Sequence, residues 1–83
     1  MADTTTVTVN IRRRPSISDP QGATVARALR DLGHNVSDVR IDKTIELRVP
    51  PGDPESIRAA VTEMCEKLLA NPVMEDFEIV ITP

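Results

Sequence analysis

The segment from Asp53 to Phe77 constrains the fold of this chain more than any other part of it. Asp53 is a favoured helix N-cap, and Pro54 fits the first helical position because its missing N–H would be unpaired there in any case. Apolar side chains then recur at helical spacing, and Asn71-Pro72 ends the helix before a strand begins. The stripe consists of Ile57, Val61, Met64 and Leu68, and is broadened at its sides by Ala60 and Cys65. Neither this segment nor the rest of the sequence contains a nucleophile–base pair, a metal-ligand cluster or a phosphate-binding loop, which predicts a domain that works by binding a partner.

Length and composition predict one small domain with a thin core. The chain has 83 residues, enough for one domain, residues 1–83, of which we expect residues 1–5 to be frayed. A domain of this size buries only about 60–70% of its unfolded surface, and Phe77 is its single aromatic residue. Oligomerisation is a common remedy for so small a core.

Charge and composition also restrict the partners. The formal net charge is −3, and an acidic chain with one aromatic residue lacks the basic face and stacking rings typical of nucleic-acid binding. No run of 18 apolar residues could span a membrane, and the first residues resemble no signal peptide. A single cysteine cannot form an intrachain disulfide. Together these features predict a cytoplasmic protein.

The first half of the chain reads as a strand followed by a helix. From Thr6 to Arg12, β-branched apolar residues alternate with polar ones, which indicates a half-buried strand that ends before Pro15. Asp19-Pro20 repeats the helix start described above, and Gly33 suits the left-handed position at a helix end. One apolar stripe runs between them, formed by Val25, Ala28, Leu29 and Leu32.

The segment from Val36 to Val49 allows two interpretations, a hairpin that turns at Asp42-Lys43 or one long strand. Its apolar residues occupy odd positions, namely Val39, Ile41, Ile45, Leu47 and Val49. A hairpin with a two-residue loop would place the first two on the opposite face of the sheet from the last three, whereas one continuous strand keeps all five on one face. We therefore favour a long strand, bent or bulged near Asp42-Lys43, although a bulge in a hairpin would also repair the pattern. A last strand follows, with Phe77, Ile79 and Ile81 on one face.

The predicted order is β-α-β-α-β, an α+β fold in which two helices cover one face of a small sheet as a two-layer sandwich. Helical crossovers predict that the strands they join are parallel or separated by another strand. A long middle strand would overhang a three-stranded sheet and expose an unpaired edge. A second copy of the chain is the simplest cover for that edge, so we expect a homodimer or a higher oligomer.

The candidate sites are partner contacts rather than catalytic groups. The cluster Arg12-Arg13-Arg14 either contacts an anion or an acidic partner or is a solvated strand end, and both interpretations stay open. Gly22 costs about 1 kcal/mol relative to Ala inside a helix, so its presence indicates close approach of another backbone. Lys43 either extends its charge to solvent at the bend or points it into an interface. The residues assigned to partner or dimer contacts are Arg12, Arg14, Asp19, Gln21, Gly22, Arg40 and Lys43.

The remaining reactive residue types do not form a site. His34 lacks ligand partners nearby in sequence and is interpreted as a solvated loop residue. Cys65 lies beside the apolar stripe of the second helix and is interpreted as a buried structural residue. Glu75 and Asp76 would alternate across a strand, so they do not form an acid–base pair. We predict no catalytic, cofactor-binding or metal-binding residues, which disfavours a stand-alone enzyme.

Several blocks of the sequence closely resemble the PurS family, the small subunits of phosphoribosylformylglycinamidine synthase. They are Asp19-Pro20-Gln21-Gly22, Ala28-Leu29, Val39-Arg40-Ile41-Asp42-Lys43, Glu46-Leu47, Glu63 to Val73, and Glu75-Asp76-Phe77. The resemblance runs from about Val7 to Ile81 in one register. The sequence departs from the family pattern where Asp42 replaces a usual glycine, and where Arg12 to Ser18 replace a usual lysine-containing segment.

The resemblance implies a non-catalytic subunit in purine biosynthesis, which dimerises and joins a PurQ-type glutaminase and a PurL-type synthetase. Such a subunit bridges the other two and assists ammonia transfer within an ATP-dependent glutamine amidotransferase. ATP and Mg²⁺ are then expected on the large partner subunit and none on this chain. With the resemblance, contact with a partner and simple solvent exposure become equally favoured interpretations of Arg12 to Arg14, Arg40 and Lys43.

A second interpretation is a homodimeric ACT-like module that binds a small molecule and regulates another enzyme. Such a module would need a β-α-β-β-α-β order and a glycine-rich turn. The continuous pattern from Val39 to Val49 and the absence of such a turn in the sequence disfavour it.

Overall fold

A computed structural model describes residues 4–82, and its elements follow the predicted order. They are strand β1 (Thr5–Arg13), helix α1 (Pro20–Asp31), strand β2 (Lys43–Val49), helix α2 (Pro54–Met64) and strand β3 (Glu75–Thr82). The α+β class is confirmed. Both Asp-Pro pairs start a helix as predicted, because each Asp side chain accepts a hydrogen bond from a backbone N–H of the first turn. Of residues 1–5, residues 1–3 lie outside the described part, and Thr5 is a buried residue of β1 rather than a frayed one.

The three strands form one antiparallel sheet in the order β2-β1-β3. The register pairs Val9 with Ile45 on one side and with Ile79 on the other. The crossover prediction holds for β2 and β3, which β1 separates, but it is wrong for β1 and β2, which are antiparallel neighbours. The chain leaves β1 and enters β2 at the same end of the sheet, where Ile11 pairs with Lys43, so α1 is an excursion from that end and not a crossover.

Backbone hydrogen-bond direction alternates along each strand. The N–H of Arg14 donates to the carbonyl of Met74 at 2.9 Å, one step beyond the pair Arg13–Glu75. Because bonded and non-bonded pairs alternate in an antiparallel ladder, even-numbered residues of β1 bond β3 and odd-numbered ones bond β2. The strand residues whose N–H and C=O groups point to the two outer edges are Thr44, Glu46 and Arg48 in β2, and Glu75, Phe77, Ile79 and Ile81 in β3.

The core lies between β1 and α2. The apolar side of β1 is completely covered, and Val61 and Cys65 of α2 and the turn after it are fully buried against it. The buried members of the cluster are Val7, Val9, Ile11, Ile57, Val61, Cys65 and Ala70. Side chains of β2 and β3 on the same face are half-buried around this cluster. One helix therefore covers one face of a three-stranded sheet.

Helix α2 continues as one π-helical turn, Cys65–Leu69, before the chain turns into β3. The N–H of Ala70 donates to the carbonyl of Cys65 at 3.0 Å, five residues earlier. The Asn71 side chain then accepts hydrogen bonds from the N–H groups of Val73 and Met74, which closes the turn. The predicted helix end at Asn71-Pro72 is therefore confirmed to within two residues.

Helix α1 does not lie on the sheet, so the prediction of two helices on one sheet face is wrong for α1. Among the described residues, α1 supplies none to the core cluster, and Leu32 of its apolar stripe is 74% exposed. The physical reason is that α1 leaves from and returns to one end of the sheet, while α2 already covers the inner face of β1. The radius of gyration is 16.5 Å, against about 12 Å for a compact chain of this length.

The middle strand is shorter than predicted. β2 begins at Lys43, and residues 36–42 approach it without pairing to another strand of the described chain. These residues run back along α1 instead, because Arg30 of α1 donates hydrogen bonds to the carbonyls of Val36 and Ser37. Residues 19–41 thus form an arm, consisting of α1 and its returning segment, that extends from the body formed by the sheet and α2.

Candidate functional site

The residues assigned to partner contacts meet at one end of the molecule, which we call the loop end. There β1 ends, β2 and β3 begin, and α1 starts. The strand ends are adjacent because Ile11 pairs with Lys43 and Arg13 pairs with Glu75. All seven predicted residues, Arg12, Arg14, Asp19, Gln21, Gly22, Arg40 and Lys43, lie at or next to these strand ends and this helix start.

Arg40 binds the turn that follows β1. Its guanidinium donates hydrogen bonds to the carbonyls of Arg13 at 3.2 Å, of Arg14 at 3.4 Å and of Ile17 at 3.4 Å. A planar guanidinium with five donors can satisfy several carbonyls of one turn at once. Arg40 therefore joins the segment before β2 to the segment after β1.

Asp19 joins α1 to the same returning segment. One carboxylate oxygen accepts from the N–H of Gly22 at 2.9 Å as the N-cap, and the other accepts from the N–H of Ile41 at 2.7 Å. The bond from Ile41 is the main cause that lowers the pKa of Asp19 below its ordinary value, followed by the bond from Gly22. Burial opposes this shift, and the charges of Arg13 and Arg40 add to it. The carboxylate is thus held ionised as a structural acceptor.

Gly22 allows α1 and the returning segment to touch. A β-carbon at this position would overlap the carbonyl oxygen of Val39. The close backbone approach expected from the sequence is therefore present, and the backbone that approaches belongs to the same chain. Gly22 contributes to the arm rather than facing outward, because it is buried.

Arg14 and Lys43 hold the start of β3. Arg14 donates to the carbonyl of Pro72 at 2.8 Å and pairs with Asp76 at 3.2 Å. Lys43 pairs with Glu75 at 3.8 Å, and its side chain is 56% exposed. The Arg14–Asp76 pair is exposed on both sides and contributes about 0–1 kcal/mol, so it orients the loop end more than it stabilises it.

Arg12 and Gln21 are the two predicted residues that remain directed outward. Alternation along β1 places Arg12 on the polar face, beside a shallow hollow shared with Asn10, Asp76 and Glu78. Gln21 is exposed at the start of α1 and borders a second hollow next to Lys43. Neither side chain makes a hydrogen bond or ion pair with another residue in the described range.

Sequence reasoning missed Arg13 and Arg30 as organising residues. Arg13 donates to the carbonyl of Ser18 at 3.0 Å, and Arg30 bonds the returning segment of the arm. Their acceptors are backbone carbonyls, which every residue carries, so residue types in the sequence hold no signal for these bonds.

Asp19 and Cys65, whose pKa values are shifted, are not suited to proton transfer near neutral pH. A general acid or base works best with a pKa near the operating pH, whereas the pKa of Asp19 is lowered away from neutrality. Cys65, outside the loop end, is fully buried, and burial together with the charge of Glu66 raises the pKa of its thiol. His34 is an exposed loop residue. The loop end is therefore an arrangement of charges that brace backbone carbonyls and amides.

Two further findings concern residues 4–82 only. No group of three or more histidine, cysteine, aspartate or glutamate side chains is placed to hold a metal ion in that range. Within it, no helix has both the length and the apolar character needed to cross a bilayer.

The fold and the loop end together define a small α+β assembly domain, in which polar side chains hold its own loops and the outer edge of β2 pairs with no other strand of residues 4–82. Residues 6–83 match the family described as PurS, phosphoribosylformylglycinamidine (FGAM) synthase. The chain belongs to the PurS family.

Relatives and solved structures agree with this assignment. The chain is 46% identical over 72 residues to the phosphoribosylformylglycinamidine synthase subunit PurS of Bacillus subtilis (strain 168), covering 86% of this chain and 84% of the relative. It superimposes on the crystal structure of B. subtilis PurS with a TM-score of 0.86, at 41% identity and covering 95% and 99% of the two chains. It also matches a chain of the PurLQS structure from Thermotoga maritima, with a TM-score of 0.84, 32% identity and coverage of 95% and 98%. The similarity therefore extends over nearly the whole of both chains.

Proposed function

We propose that this chain is the non-catalytic small subunit of a phosphoribosylformylglycinamidine synthase, a glutamine amidotransferase of purine biosynthesis. The observation that carries the proposal is its full-length similarity to a chain of the PurLQS structure. In this role the chain bridges a PurQ-type glutaminase and a PurL-type synthetase and assists the passage of ammonia between them. ATP and Mg²⁺ are bound by the large subunit, and the complex works in the cytoplasm.

The hydrogen bonds that brace the loop end support a role in positioning the partner subunits. Arg40, Asp19 and Arg14 use their charges on groups of the same chain, and of the seven predicted residues Arg12 and Gln21 are exposed with no side-chain partner in the described range. A loop end braced by its own hydrogen bonds suits a subunit that positions larger partners, since preorganised surfaces lose little conformational entropy on binding. Arg12 is therefore our first choice for a contact with a partner subunit.

We further propose that the chain acts as a homodimer. Two features support this: the apolar stripe of α1 is uncovered, with Val25 at 38% and Leu32 at 74% exposed, and β2 presents an open edge at Thr44, Glu46 and Arg48. Unpaired edges and uncovered apolar faces are unfavourable in an isolated chain. A second copy can cover both the stripe of α1 and the edge of β2. The apolar area buried between the copies would also compensate for the small core that one helix and three strands form.

Mixing purified subunits tests the assembly role. The glutaminase and synthetase subunits are assayed for glutamine-dependent amidine formation with and without this chain, and we expect turnover only with all three. The large subunit assayed with ammonia as the nitrogen donor is the control for its own competence. Full glutamine-dependent turnover without this chain would reject the proposal.

A proline at Glu46 tests the homodimer. The N–H of Glu46 points to the open edge of β2, so Glu46→Pro keeps every bond from β2 to β1 while removing an edge donor. Light scattering is expected to give twice the chain mass for the unaltered protein and a shift towards the monomer for the variant. An unaltered protein that stays monomeric at all concentrations contradicts the homodimer but leaves the subunit role intact.

A further inference from the structure

The two outer edges of the sheet differ in how they are covered. On β2, the outward N–H and C=O groups of Thr44, Glu46 and Arg48 accept or donate no hydrogen bond within the described residues. On β3, Arg58 of α2 reaches over the edge, and its guanidinium donates to the carbonyl of Ile79 at 3.1 Å. The β3 edge is thus occupied at its middle by a charged side chain, and the β2 edge is not.

The direction of the Ile79 carbonyl follows from the register. Because Arg14 donates to Met74, the pair Val9–Ile79 is a non-bonded pair, and the N–H and C=O groups of Ile79 point away from β1. A second observation agrees: the outward N–H of Glu75, four residues earlier, donates to the carbonyl of Asn71 at 2.8 Å instead of to β1. Arg58 therefore binds an acceptor that an added strand would need.

We propose that Arg58 closes the β3 edge against strand addition, so that the sheet can be extended only at β2. An added strand on β3 would have to pair an N–H with the carbonyl of Ile79 and would displace the guanidinium. A long charged side chain on a sheet edge is a known means of preventing edge-to-edge association. The consequence is that assembly through the sheet ends after one addition instead of continuing into an open array.

The geometry at Arg58 is held by the body of the protein. Arg58 lies one helical turn before Thr62, whose hydroxyl donates to the Arg58 carbonyl at 2.7 Å, and next to Ile57, which is buried in the core. The helix thus fixes the position from which the side chain crosses the edge. Shortening this side chain uncovers the edge without removing a core contact.

Replacing Arg58 tests the proposal. The mass of Arg58→Ala is measured by light scattering and sedimentation from micromolar to near-millimolar concentration, beside the unaltered chain and Arg27→Ala. Arg27 is the matched control, because it lies on α1, its side chain makes no hydrogen bond or ion pair within the described residues, and it carries the same charge. We expect the mass of Arg58→Ala to rise with concentration to at least twice the limiting mass of the unaltered chain, while Arg27→Ala follows the unaltered chain.

Hydrogen exchange locates the added contact. In associated Arg58→Ala, the outward amides of Phe77 and Ile79 are expected to become at least tenfold better protected, whereas those of Glu78 and Val80, which already bond β1, change little. Equal masses for Arg58→Ala and the unaltered chain overturn the proposal, as does an equal rise for Arg27→Ala or association without protection at Phe77 and Ile79. If Arg58→Ala fails to fold by circular dichroism, Arg58→Met, which keeps the apolar stem, is judged by the same criteria.

The proposal is separable from the homodimer. The limiting mass of the unaltered chain tests the homodimer, whereas the difference between Arg58→Ala and the unaltered chain tests the closed edge. A monomeric unaltered chain whose Arg58→Ala variant associates through β3 contradicts the first and supports the second.

Discussion

The carbonyl oxygen of Val39 occupies the space that a β-carbon on Gly22 would need. This contact brings the start of α1 against the returning segment of the arm. It sits beside the carboxylate of Asp19, which bonds the neighbouring amide of Ile41. The start of α1 is therefore held against the returning segment by a backbone contact that only glycine permits and by the ionised carboxylate of Asp19.

Gly22→Ala is expected to destabilise the protein although alanine is the better helix former. Alanine contributes about 1 kcal/mol of helix propensity, but the overlap with Val39 forces backbone movement, and overpacking costs about 1–3 kcal/mol. Denaturant unfolding should therefore show a lower midpoint. Gly52→Ala is the control, because a β-carbon at Gly52 meets nothing nearby, and its midpoint should stay or rise slightly. A higher midpoint for Gly22→Ala would contradict the contact.

Asp19 should make the stability of the protein depend on pH in the acid range. Its pKa is lowered in the folded state by the bonds from Ile41 and Gly22. Its contribution is therefore complete above the unfolded-state value of 3.8 and is lost as the pH falls through the lower folded-state pKa. Thermal unfolding from pH 7 to pH 2 should show a shallower acid decline for Asp19→Asn than for the unaltered chain.

A matched substitution separates this effect from capping in general. Asp53 caps α2 through Ser56 and, among residues 4–82, binds no second segment. Asp53→Asn should keep the cap of α2, because an asparagine oxygen accepts the same bond, and the acid decline that depends on Asp19 should remain. Parallel acid declines for Asp19→Asn and the unaltered chain would show that the Ile41 bond carries no pH-dependent stability.

The sequence predicted the locally determined features well. Both helix starts follow from Asp-Pro pairs, and Gly33 has the positive φ, 93°, expected at the helix end. Alternation assigned the side chains of all three strands to the correct faces, because a period of two depends only on the strand itself. The α+β class follows from this order of elements.

The placement of α1 and the length of the middle strand could not be predicted in the same way. An amphipathic stripe shows that a face needs a cover but not which surface supplies it. The odd-numbered apolar pattern continues to Val39, yet strand structure begins only at Lys43. The backbone before it is held by Arg30, Asp19 and Arg40 instead of by a neighbouring strand. Such bonds join side chains to backbone carbonyls and amides. Nearly every residue type carries these groups, so the sequence does not show which of them will be bonded.

Arg40 should contribute to stability through the turn after β1. Arg40→Ala removes donors from the carbonyls of Arg13, Arg14 and Ile17, and a hydrogen bond involving a charged group contributes about 1.5–3 kcal/mol when well formed. Because these bonds are exposed and long, we expect a total loss of about 1–2 kcal/mol in the free energy of unfolding. The free energy of unfolding of Arg40→Lys should lie between those of Arg40→Ala and the unaltered chain, since a lysine cannot span several carbonyls in one plane. Arg27→Ala should change the free energy of unfolding by less than about 0.5 kcal/mol. A loss for Arg27→Ala equal to that for Arg40→Ala would contradict the specific role of Arg40.

Cys65 should be unreactive while the protein is folded. The thiol is fully buried, and burial raises its pKa, so little thiolate forms and the reagent has no access. A chromogenic disulfide at pH 8 should modify one thiol per chain at the rate of global opening, and at once in denaturant. Val61→Ala, which weakens the same core by about 1–3 kcal/mol, should accelerate the native reaction. Immediate modification of the folded chain would place the thiol at the surface.

Leu32→Ser should separate the stability of one chain from the association of two. Leu32 is 74% exposed at the end of α1, so its loss should change the unfolding free energy of a single chain by less than about 0.5 kcal/mol. If the stripe of α1 is covered by a second copy, the same change removes buried apolar area at about 25 cal/mol per Å² and weakens association by tenfold or more. The measurement is the dissociation constant from sedimentation. Asp31→Ser is the control, because Asp31 lies one residue earlier outside the stripe and should leave the dissociation constant within about threefold. An unchanged constant for Leu32→Ser would show that this end of the α1 stripe lies outside the dimer contact.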